Sequence, residues 1–257
     1  RSLREPVETM ATNVLGTAHL LDALRGRDGL DAVLVVTSDK VYANAELGRP
    51  FVETDPLGGK DPYSASKAAA EIVTASFAKS FFAHDNIPLA TARGGNVVGG
   101  GDFSEDRIVP DIVRAARTGE TLVLRHPEAV RPWQHVLDCL AGYLVYAQGL
   151  AHGLDLPAAL NFGPEPTAPV TVADFADAVQ AAMGIENGWR HQPVPGSVEA
   201  KLLALDSSAS RKVLDWRDRL AGPACVAATA EWYRAWLNGA DMRTVSLDAI
   251  AAYEAIA

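Results

Sequence analysis

Three polar side chains follow directly after a strand-like segment near the start of the sequence. Val33–Val36 is an unbroken apolar run, and Ser38, Asp39 and Lys40 come just after it. In doubly wound α/β sheets, ligands bind beyond the carboxyl ends of the strands, which is where these groups would lie. A hydroxyl, an acid and an amine at that place could hold or move protons on a ligand. Taken alone, however, the segment is better explained as a solvated turn.

A tyrosine and a lysine stand four residues apart at the start of the next predicted helix. Because of this spacing, Tyr63 and Lys67 share one helix face. An ammonium group beside a phenol favours the phenolate, so Tyr63 could serve as an acid or base near neutral pH. A surface tyrosine above a surface lysine is the simpler alternative for the pair alone. Together with Ser38, however, the pair completes a triad of hydroxyl, phenol and amine.

Composition excludes several classes of function. The chain has 257 residues and a net charge of −9, which argues against broad contact with nucleic-acid phosphates but leaves room for a nucleotide ligand. Cys139 and Cys225 form neither a disulfide framework nor a zinc motif, and they suit a reducing compartment. No signal peptide or membrane span is evident, so we expect a cytoplasmic protein. We also expect that it holds no metal ion.

Strand-like and helix-like segments alternate along the chain, which indicates an α/β fold with a parallel sheet. The sequence predicts strands at 32–37, 87–93, 121–125 and 160–162, and helices at 6–24, from 62, 109–118, 137–149, 171–183, 208–214 and 225–237. It predicts a sheet domain over 1–125 and a smaller interleaved lobe over 126–257, with a return to the sheet near 137–163.

The triad and three further segments resemble the extended short-chain dehydrogenase/reductase superfamily, whose members act on nucleotide sugars. These segments are TNVLGT at 12–17, RGGNVVGGGD at 93–102 and RPWQHVLD at 131–138. The resemblance implies a Rossmann-like doubly wound sheet, NAD as cofactor, a nucleotide-sugar substrate and a homodimer. The glycines at 94–101 do not have the spacing of a dinucleotide fingerprint, so we interpret them as part of a substrate-side loop.

The resemblance also assigns roles to individual residues. Those implied to contact NAD are Asn13, Thr37, Tyr63, Lys67 and Arg93. Those implied to bind the nucleotide sugar are Asn96, Arg107, Arg131 and His135. An arginine fork suits phosphate geometry better than a lysine does. Singly, Asn96 could instead cap a loop, and Arg131 could instead pair with Asp138.

Within the superfamily, the acid at Asp39 followed by Lys40 favours one group. The Ser-Asp-Lys sequence, the segment GGKDPYS at 58–64 and the segment RPWQHV at 131–136 closely resemble the CDP-glucose 4,6-dehydratases. Most other sugar-nucleotide dehydratases have Glu after the acid, and epimerases have a small or hydroxyl residue at the acid itself. The departures are Phe103, where Trp is usual, and SVEA at 197–200, where a His is expected.

The implied reaction is an internal redox dehydration. Tyr63, assisted by Lys67 and Ser38, would take the proton of the sugar 4-hydroxyl while hydride leaves C4 for NAD. Lys40, if neutral, would take the C5 proton, and Asp39, if protonated, would donate to the departing 6-hydroxyl. In water at neutral pH a lysine is protonated and an aspartate is ionised, the reverse of what these two roles require. The site therefore has to desolvate both groups, or Tyr63 and water have to carry out part of the proton transfer.

The sequence leaves three alternatives open. The chain could be another nucleotide-sugar dehydratase, a 4-epimerase or a non-catalytic nucleotide-sugar-binding paralogue. It starts without a methionine and shows no Gly-rich turn for the NAD pyrophosphate, so we expect that it lacks an N-terminal portion. By itself, we expect such a chain to bind NAD poorly.

Overall fold

The computed structural model describes residues 2–43, 48–165, 170–193 and 204–256. The chain divides into two compact units. The first comprises residues 1–95, 140–163 and 204–217, and the second comprises 96–139, 164–203 and 218–257. The sequence predicts a boundary near residue 125, whereas 96–125 belongs with the second unit. The chain returns to the first unit over 140–163.

Helices and strands alternate along the described chain. The helices are α1 (Pro6–Met10), α2 (Gly16–Leu24), α3 (Pro62–Phe77), α4 (Ile108–Thr118), α5 (Val136–Ala151), α6 (Val172–Met183), α7 (Ser208–Leu214), α8 (Pro223–Leu237) and α9 (Met242–Glu254). The strands are β1 (Val33–Val36), β2 (Leu89–Gly94), β3 (Asn96–Val98), β4 (Leu122–Leu124), β5 (Trp133–His135), β6 (Ala159–Phe162) and β7 (Trp189–His191). Two π-helical turns, Ala11–Leu15 and Ala78–Phe82, extend the helices next to them.

The first unit is built on a parallel three-stranded sheet in the order β1-β2-β6. Val33 pairs with Leu89, and Thr91 pairs with Ala159. Every residue of the central strand β2 is buried, as expected for a strand covered on both faces. The predicted parallel α/β fold is therefore confirmed.

Helix α5 lies close against this sheet because residue 142 has no side chain. A Cβ on Gly142 would come within 2.6 Å of the Phe162 ring on β6. The buried side chains of Tyr146, Leu160 and Trp216 surround that ring. A separate apolar cluster joins Leu21 and Phe82 to the start of β2.

The second unit contains two short parallel pairs, β3 with β5 and β4 with β7. Its core is formed by helices α4, α6 and α8, with Ile112, Phe175 and Tyr233 fully or almost fully buried. Helix α6 starts with a reciprocal capping box between Thr171 and Asp174, which confirms the helix start predicted there.

Four elements were not predicted from the sequence. The structure has β3 inside the segment predicted as a loop, β5 inside a predicted turn, and β7 and α9 where no element was predicted. The three strands have three residues each, too few to show an alternating pattern. Asp241 caps the start of α9, because its carboxylate accepts hydrogen bonds from the Arg243 and Thr244 amides.

Three further features concern membrane spans, metal ligands and cysteines. Within the described ranges, no helix has the length and apolar character needed to cross a bilayer. The same residues contain no group of three or more His, Cys, Asp or Glu side chains arranged to hold a metal ion. Cys139 and Cys225 are buried and not joined in a disulfide.

Candidate active site

The end of β1 carries three buried polar residues. Thr37, Ser38 and Asp39 are 8 %, 7 % and 3 % exposed, whereas the side chain of Lys40 is exposed. Ser38 Oγ donates to Asp39 Oδ1 at 2.9 Å and accepts from the Lys40 amide at 3.2 Å. The Ser38 hydroxyl therefore caps the single 3₁₀ turn Asp39–Val41, which fixes the direction of the acid.

A short antiparallel contact holds this turn beside the start of α3. The Gly58 amide donates to the Val41 carbonyl, and the Ala43 amide donates to the Pro56 carbonyl, each at 2.8 Å. The chain then passes so near α3 that a Cβ on Gly59 would lie 2.2 Å from the Ala65 amide nitrogen. Helix α3 also packs on the 3₁₀ turn itself, so the acid and the amine that follow β1 are held next to this helix.

The start of helix α3 is stabilised by a capping aspartate and a proline. Asp61 Oδ1 accepts hydrogen bonds from the Tyr63 and Ser64 amides, and Pro62 occupies the first helical position. Tyr63 and Lys67 are both half-buried on one face of the first turns. Within the described part of the chain, neither the Tyr63 hydroxyl nor the Lys67 amine has a hydrogen-bond or ion-pair partner, so both are free to bind a ligand.

The amine at Lys67 is electrostatically unusual. Burial lowers the pKa of Lys67, because desolvation disfavours the ammonium form, and the negative charge of Glu71 acts in the opposite direction. Glu71 lies one helical turn further along α3 and is 4 % exposed. Its role was not predicted, because an acid in a helix carries no signal until its partners are known.

Thr37 and Arg93, both predicted to contact NAD, bind Glu71 in the structure. Thr37 Oγ1 donates to Glu71 Oε1 at 2.5 Å. Arg93 forms a buried ion pair with the same carboxylate at 2.8 Å and also donates to Tyr42 Oη and the Glu53 carbonyl. These contacts give both residues a role inside the fold, and the cofactor contacts predicted for them stay predictions.

Asn13 is attached to the same helix. Its Nδ2 atom donates to Ser66 Oγ at 2.9 Å, and Ser66 Oγ in turn donates to the Tyr63 carbonyl at 2.7 Å. Ser66 is fully buried. The predicted NAD-side asparagine thus contacts α3 one turn from the phenol and the amine.

The predicted substrate-side residues all lie in the second unit. Asn96 is half-buried on β3, opposite Trp133 on β5, and Val98 pairs with His135. Arg131 is 6 % exposed just before β5, whereas Arg107 is exposed at the position preceding α4. The β3–β5 pair therefore brings the segments of Asn96, Arg131 and His135 together and leaves Arg107 on a different element.

His135 is a neutral histidine at physiological pH. Burial lowers the pKa of His135 to about 4, because the imidazolium form is desolvated. The Nδ1 atom accepts a hydrogen bond from the Leu137 amide at 3.3 Å, which leaves the ring proton on Nε2. His135 can therefore donate a hydrogen bond to a ligand but does not attract it by charge.

The glycine-rich loop is held by aromatic side chains from α8. A Cβ on Gly100 would lie 2.1 Å from the Trp232 ring, and Tyr233 Oη donates to the Asp102 carbonyl at 2.6 Å. Phe103, the residue that departs from the expected Trp, packs against Trp236 with ring centroids 4.8 Å apart. The other departure, at 197–200, lies outside the described residues. A cavity of about 740 Å³ borders this loop between α8 and α9.

Comparisons with known proteins extend over both units. Residues 1–158 match the NAD dependent epimerase/dehydratase family. CDP-glucose 4,6-dehydratase of Salmonella typhimurium is 38 % identical, with 98 % of this chain and 72 % of that protein covered. dTDP-glucose 4,6-dehydratase of Streptomyces antibioticus is 32 % identical, with 91 % and 66 % covered.

Solved structures share the fold. UDP-glucose 4-epimerase of Thermotoga maritima superimposes with a TM-score of 0.78 at 20 % identity, covering 92 % of this chain and 74 % of that one. A dTDP-glucose 4,6-dehydratase of Streptomyces venezuelae, solved with NAD bound, gives 0.76 at 22 % identity, covering 94 % and 71 %. The family match and the Salmonella relative decide the assignment, and this chain belongs to the NAD dependent epimerase/dehydratase family.

Proposed function

We propose that this protein converts CDP-glucose to CDP-4-keto-6-deoxyglucose by an internal redox dehydration that uses NAD. The observation that carries the proposal is the helix with Tyr63 and Lys67 packed on the turn with Asp39 and Lys40. The similarity of almost the whole chain to a CDP-glucose 4,6-dehydratase supports it.

The residues of the first unit suit a nicotinamide cofactor. Tyr63 and Lys67 present a hydroxyl and an amine with no partner in the described part of the chain, as binding of a ribose next to a reacting carbon requires. Asn13 supports the helix that carries them. NAD, when bound there, accepts hydride from C4 of the sugar and later returns hydride to C6, so it is recovered in each turnover.

Tyr63 and Ser38 act on the 4-hydroxyl of the sugar. Tyr63 reacts as the phenolate, which the Lys67 ammonium on the same helix face stabilises. It removes the hydroxyl proton as the C4–H bond breaks and becomes the neutral phenol. The Ser38 hydroxyl, which donates to Asp39 in the free protein, turns to donate to the oxygen that becomes the C4 ketone when the sugar binds. Oxidation at C4 then makes the proton on C5 acidic.

Asp39 and Lys40 carry out the loss of water. We propose that Asp39, whose side chain is 3 % exposed, donates a proton to the leaving 6-hydroxyl in its protonated form. Lys40 is exposed, so its amine must be desolvated by the bound sugar before it can remove the C5 proton. The bonds that break are C5–H and C6–O, and the departing group leaves as water.

The second unit provides contacts to the nucleotide sugar. We propose that Arg131 and Arg107 bind the diphosphate and that Asn96 and neutral His135 donate hydrogen bonds to it. Arg131 is nearly buried, so its guanidinium acts on a phosphate with little screening by water. The aromatic packing around Gly100 keeps the neighbouring loop in one conformation for this contact.

A nucleotide-sugar panel tests the function. We expect the full-length protein with NAD to form a 4-keto-6-deoxy product from CDP-glucose, at a higher kcat/KM than from UDP-, dTDP- or GDP-linked sugars. Tyr63→Phe, which keeps the ring and removes the proton acceptor, is expected to lower kcat by at least about a hundredfold. Preference for another nucleotide would indicate a different dehydratase. Formation of a 4-epimer without loss of water would indicate an epimerase, and binding without turnover a non-catalytic paralogue.

Association and location complete the proposal. Val7 on α1 is 80 % exposed and Ile72 on α3 is 62 % exposed, and Leu3, just before α1, is also 80 % exposed. This part of the first unit therefore presents large apolar side chains to the surroundings. We propose that a second copy of the chain covers these side chains in a homodimer. A cytoplasmic location suits Cys139 and Cys225, which are not joined in a disulfide.

A further inference from the structure

The first unit contains a fully enclosed ion pair that the proposed reaction does not use. Arg93 Nη2 and Glu71 Oε2 are 2.8 Å apart, and the two side chains are 5 % and 4 % exposed. Arg93 Nε also donates to Glu71 Oε1 at 3.1 Å, so the guanidinium binds both carboxylate oxygens. Burying two charges in this way is costly unless further hydrogen bonds satisfy them.

Those further bonds lead to both catalytic segments. Thr37 and Thr91 each donate a hydroxyl to Glu71, at 2.5 and 2.8 Å. Thr37 immediately precedes Ser38 at the end of β1, and Thr91 lies on β2. The carboxylate of one α3 residue is therefore the point at which α3, β1 and β2 are joined.

Arg93 holds the other side of the catalytic turn. Its Nη1 atom donates to Tyr42 Oη at 2.9 Å, and Tyr42 donates to Asn161 Oδ1 at 2.6 Å. Tyr42 directly follows the 3₁₀ turn Asp39–Val41, just as Thr37 directly precedes Ser38. The ion pair therefore contacts both ends of the segment that carries Ser38, Asp39 and Lys40. Glu71 binds the residue before this segment, and Arg93 binds the residue after it.

Glu71 also acts on the amine one turn before it. The carboxylate opposes the effect of burial on the pKa of Lys67, and within the described residues no other charged group has a resolved effect on it. The other charged or titratable groups on α3 and on the elements packed against it are Glu8, His19, Asp22, Asp39, Lys40, Tyr63, Lys79 and Arg93.

We propose, resting on the function proposed above, that Glu71 and Arg93 are positioning residues for the reaction. They fix the strand-end turn against the helix that carries Tyr63, and the charge of Glu71 acts on the Lys67 amine. Neither residue touches the substrate. The ion pair thereby couples the group that removes the 4-hydroxyl proton to the groups that remove water.

Titration of the Lys67 amine tests the electrostatic half of this inference without substrate. The rate of acetylation of Lys67 by acetic anhydride is followed against pH by mass spectrometry, with exposed Lys79 as an internal reference. Glu71→Gln is expected to move the Lys67 titration to lower pH by about one unit, and Glu71→Asp to restore most of that change. An unchanged Lys67 titration in a folded Glu71→Gln variant would overturn the electrostatic role.

Turnover tests the geometric half. Because Glu71→Gln leaves Arg93 without its counter-charge, the neutral double variant Glu71→Gln/Arg93→Gln serves as the second protein. We expect this variant to keep a cooperative unfolding transition, to lose about tenfold or more in kcat and to keep KM within about twofold. A parent-like kcat in the folded double variant would overturn the positioning role.

Two controls separate this inference from the proposed function. Asp22→Asn removes the exposed Asp22–Arg25 ion pair of the same unit and is expected to change neither readout. If the parent protein has no dehydratase activity, the proposed function fails. The acetylation experiment still decides whether Glu71 controls Lys67.

Discussion

Gly100→Ala places one methyl group where the structure has an aromatic ring. The new Cβ would lie 2.1 Å from Cγ and Cδ2 of Trp232, whereas packed carbon atoms lie about 3.5–4 Å apart. The ring is held in place, because its Nε1 atom donates to Ser246 Oγ at 3.0 Å and it makes a T-shaped contact with the Tyr233 ring, with centroids 5.1 Å apart. Either the loop or the indole must therefore leave its position.

The size of the effect follows from these contacts. Forcing an extra methyl into a packed site costs about 1–3 kcal/mol. Displacing the indole also removes its hydrogen bond to Ser246, which contributes about 1 kcal/mol. We therefore expect Gly100→Ala to lower the free energy of unfolding by about 2–4 kcal/mol.

Urea unfolding followed by tryptophan fluorescence measures this change. Gly16→Ala is the matched control, since the nearest atom to its Cβ is the Ala11 carbonyl oxygen at 3.8 Å. Because alanine favours the helix more than glycine does, this variant is expected to raise the free energy of unfolding by at most about 1 kcal/mol. In a Trp232→Leu background the clash is removed, so Gly100→Ala should cost about 2 kcal/mol less than in the parent. An equal cost in both backgrounds would refute the proposed packing of the loop on Trp232.

Three further predictions concern other parts of the molecule. Lys40→Met should still transfer hydride from C4, seen as a rise in NADH absorbance, yet release no 4-keto-6-deoxy product; normal turnover would remove Lys40 from the mechanism. The depressed pKa of His135 means that the unfolded chain binds more protons between pH about 4 and 6.5, so stability rises with pH in that window. His135→Gln should flatten this rise by up to about 1.4 kcal/mol per pH unit in denaturant titrations, and an identical slope would contradict the assignment. Asp138→Ala leaves the Arg219 and Leu220 amides and the Tyr253 hydroxyl without their acceptor and should cost about 2–4 kcal/mol of unfolding free energy, whereas a cost below 1 would contradict the anchoring role.

Local signals in the sequence were sufficient to predict where two of the helices begin. Pro62 predicts where α3 begins because it suits a first helical position. Thr171 with Asp174 predicts the start of α6 because the pair satisfies backbone groups within a few residues. The strand before Ser38 was likewise visible as an apolar run. Spacing alone therefore predicted that Tyr63 and Lys67 share one helix face.

Contacts between distant residues could not be predicted in this way. The strands β3 and β5 are stabilised by each other and not by their own composition, so a pattern-based interpretation treats them as loop and turn. Glu71 appears in the sequence as one more acid in a helix, and its importance is visible only when Arg93 and Thr37 converge on it. The packing of Gly100 on Trp232 is also a contact between distant parts of the chain.

The fate of the hydrogen on C4 tests the central claim most directly. The full-length protein is incubated with NAD and CDP-glucose that carries deuterium at C4, and the product is analysed by NMR. If Ser38, Tyr63 and the Asp39–Lys40 pair act on one hexose, the deuterium appears at C6 of CDP-4-keto-6-deoxyglucose. Deuterium that returns to C4 of an epimer, or that is lost to water, would contradict the account.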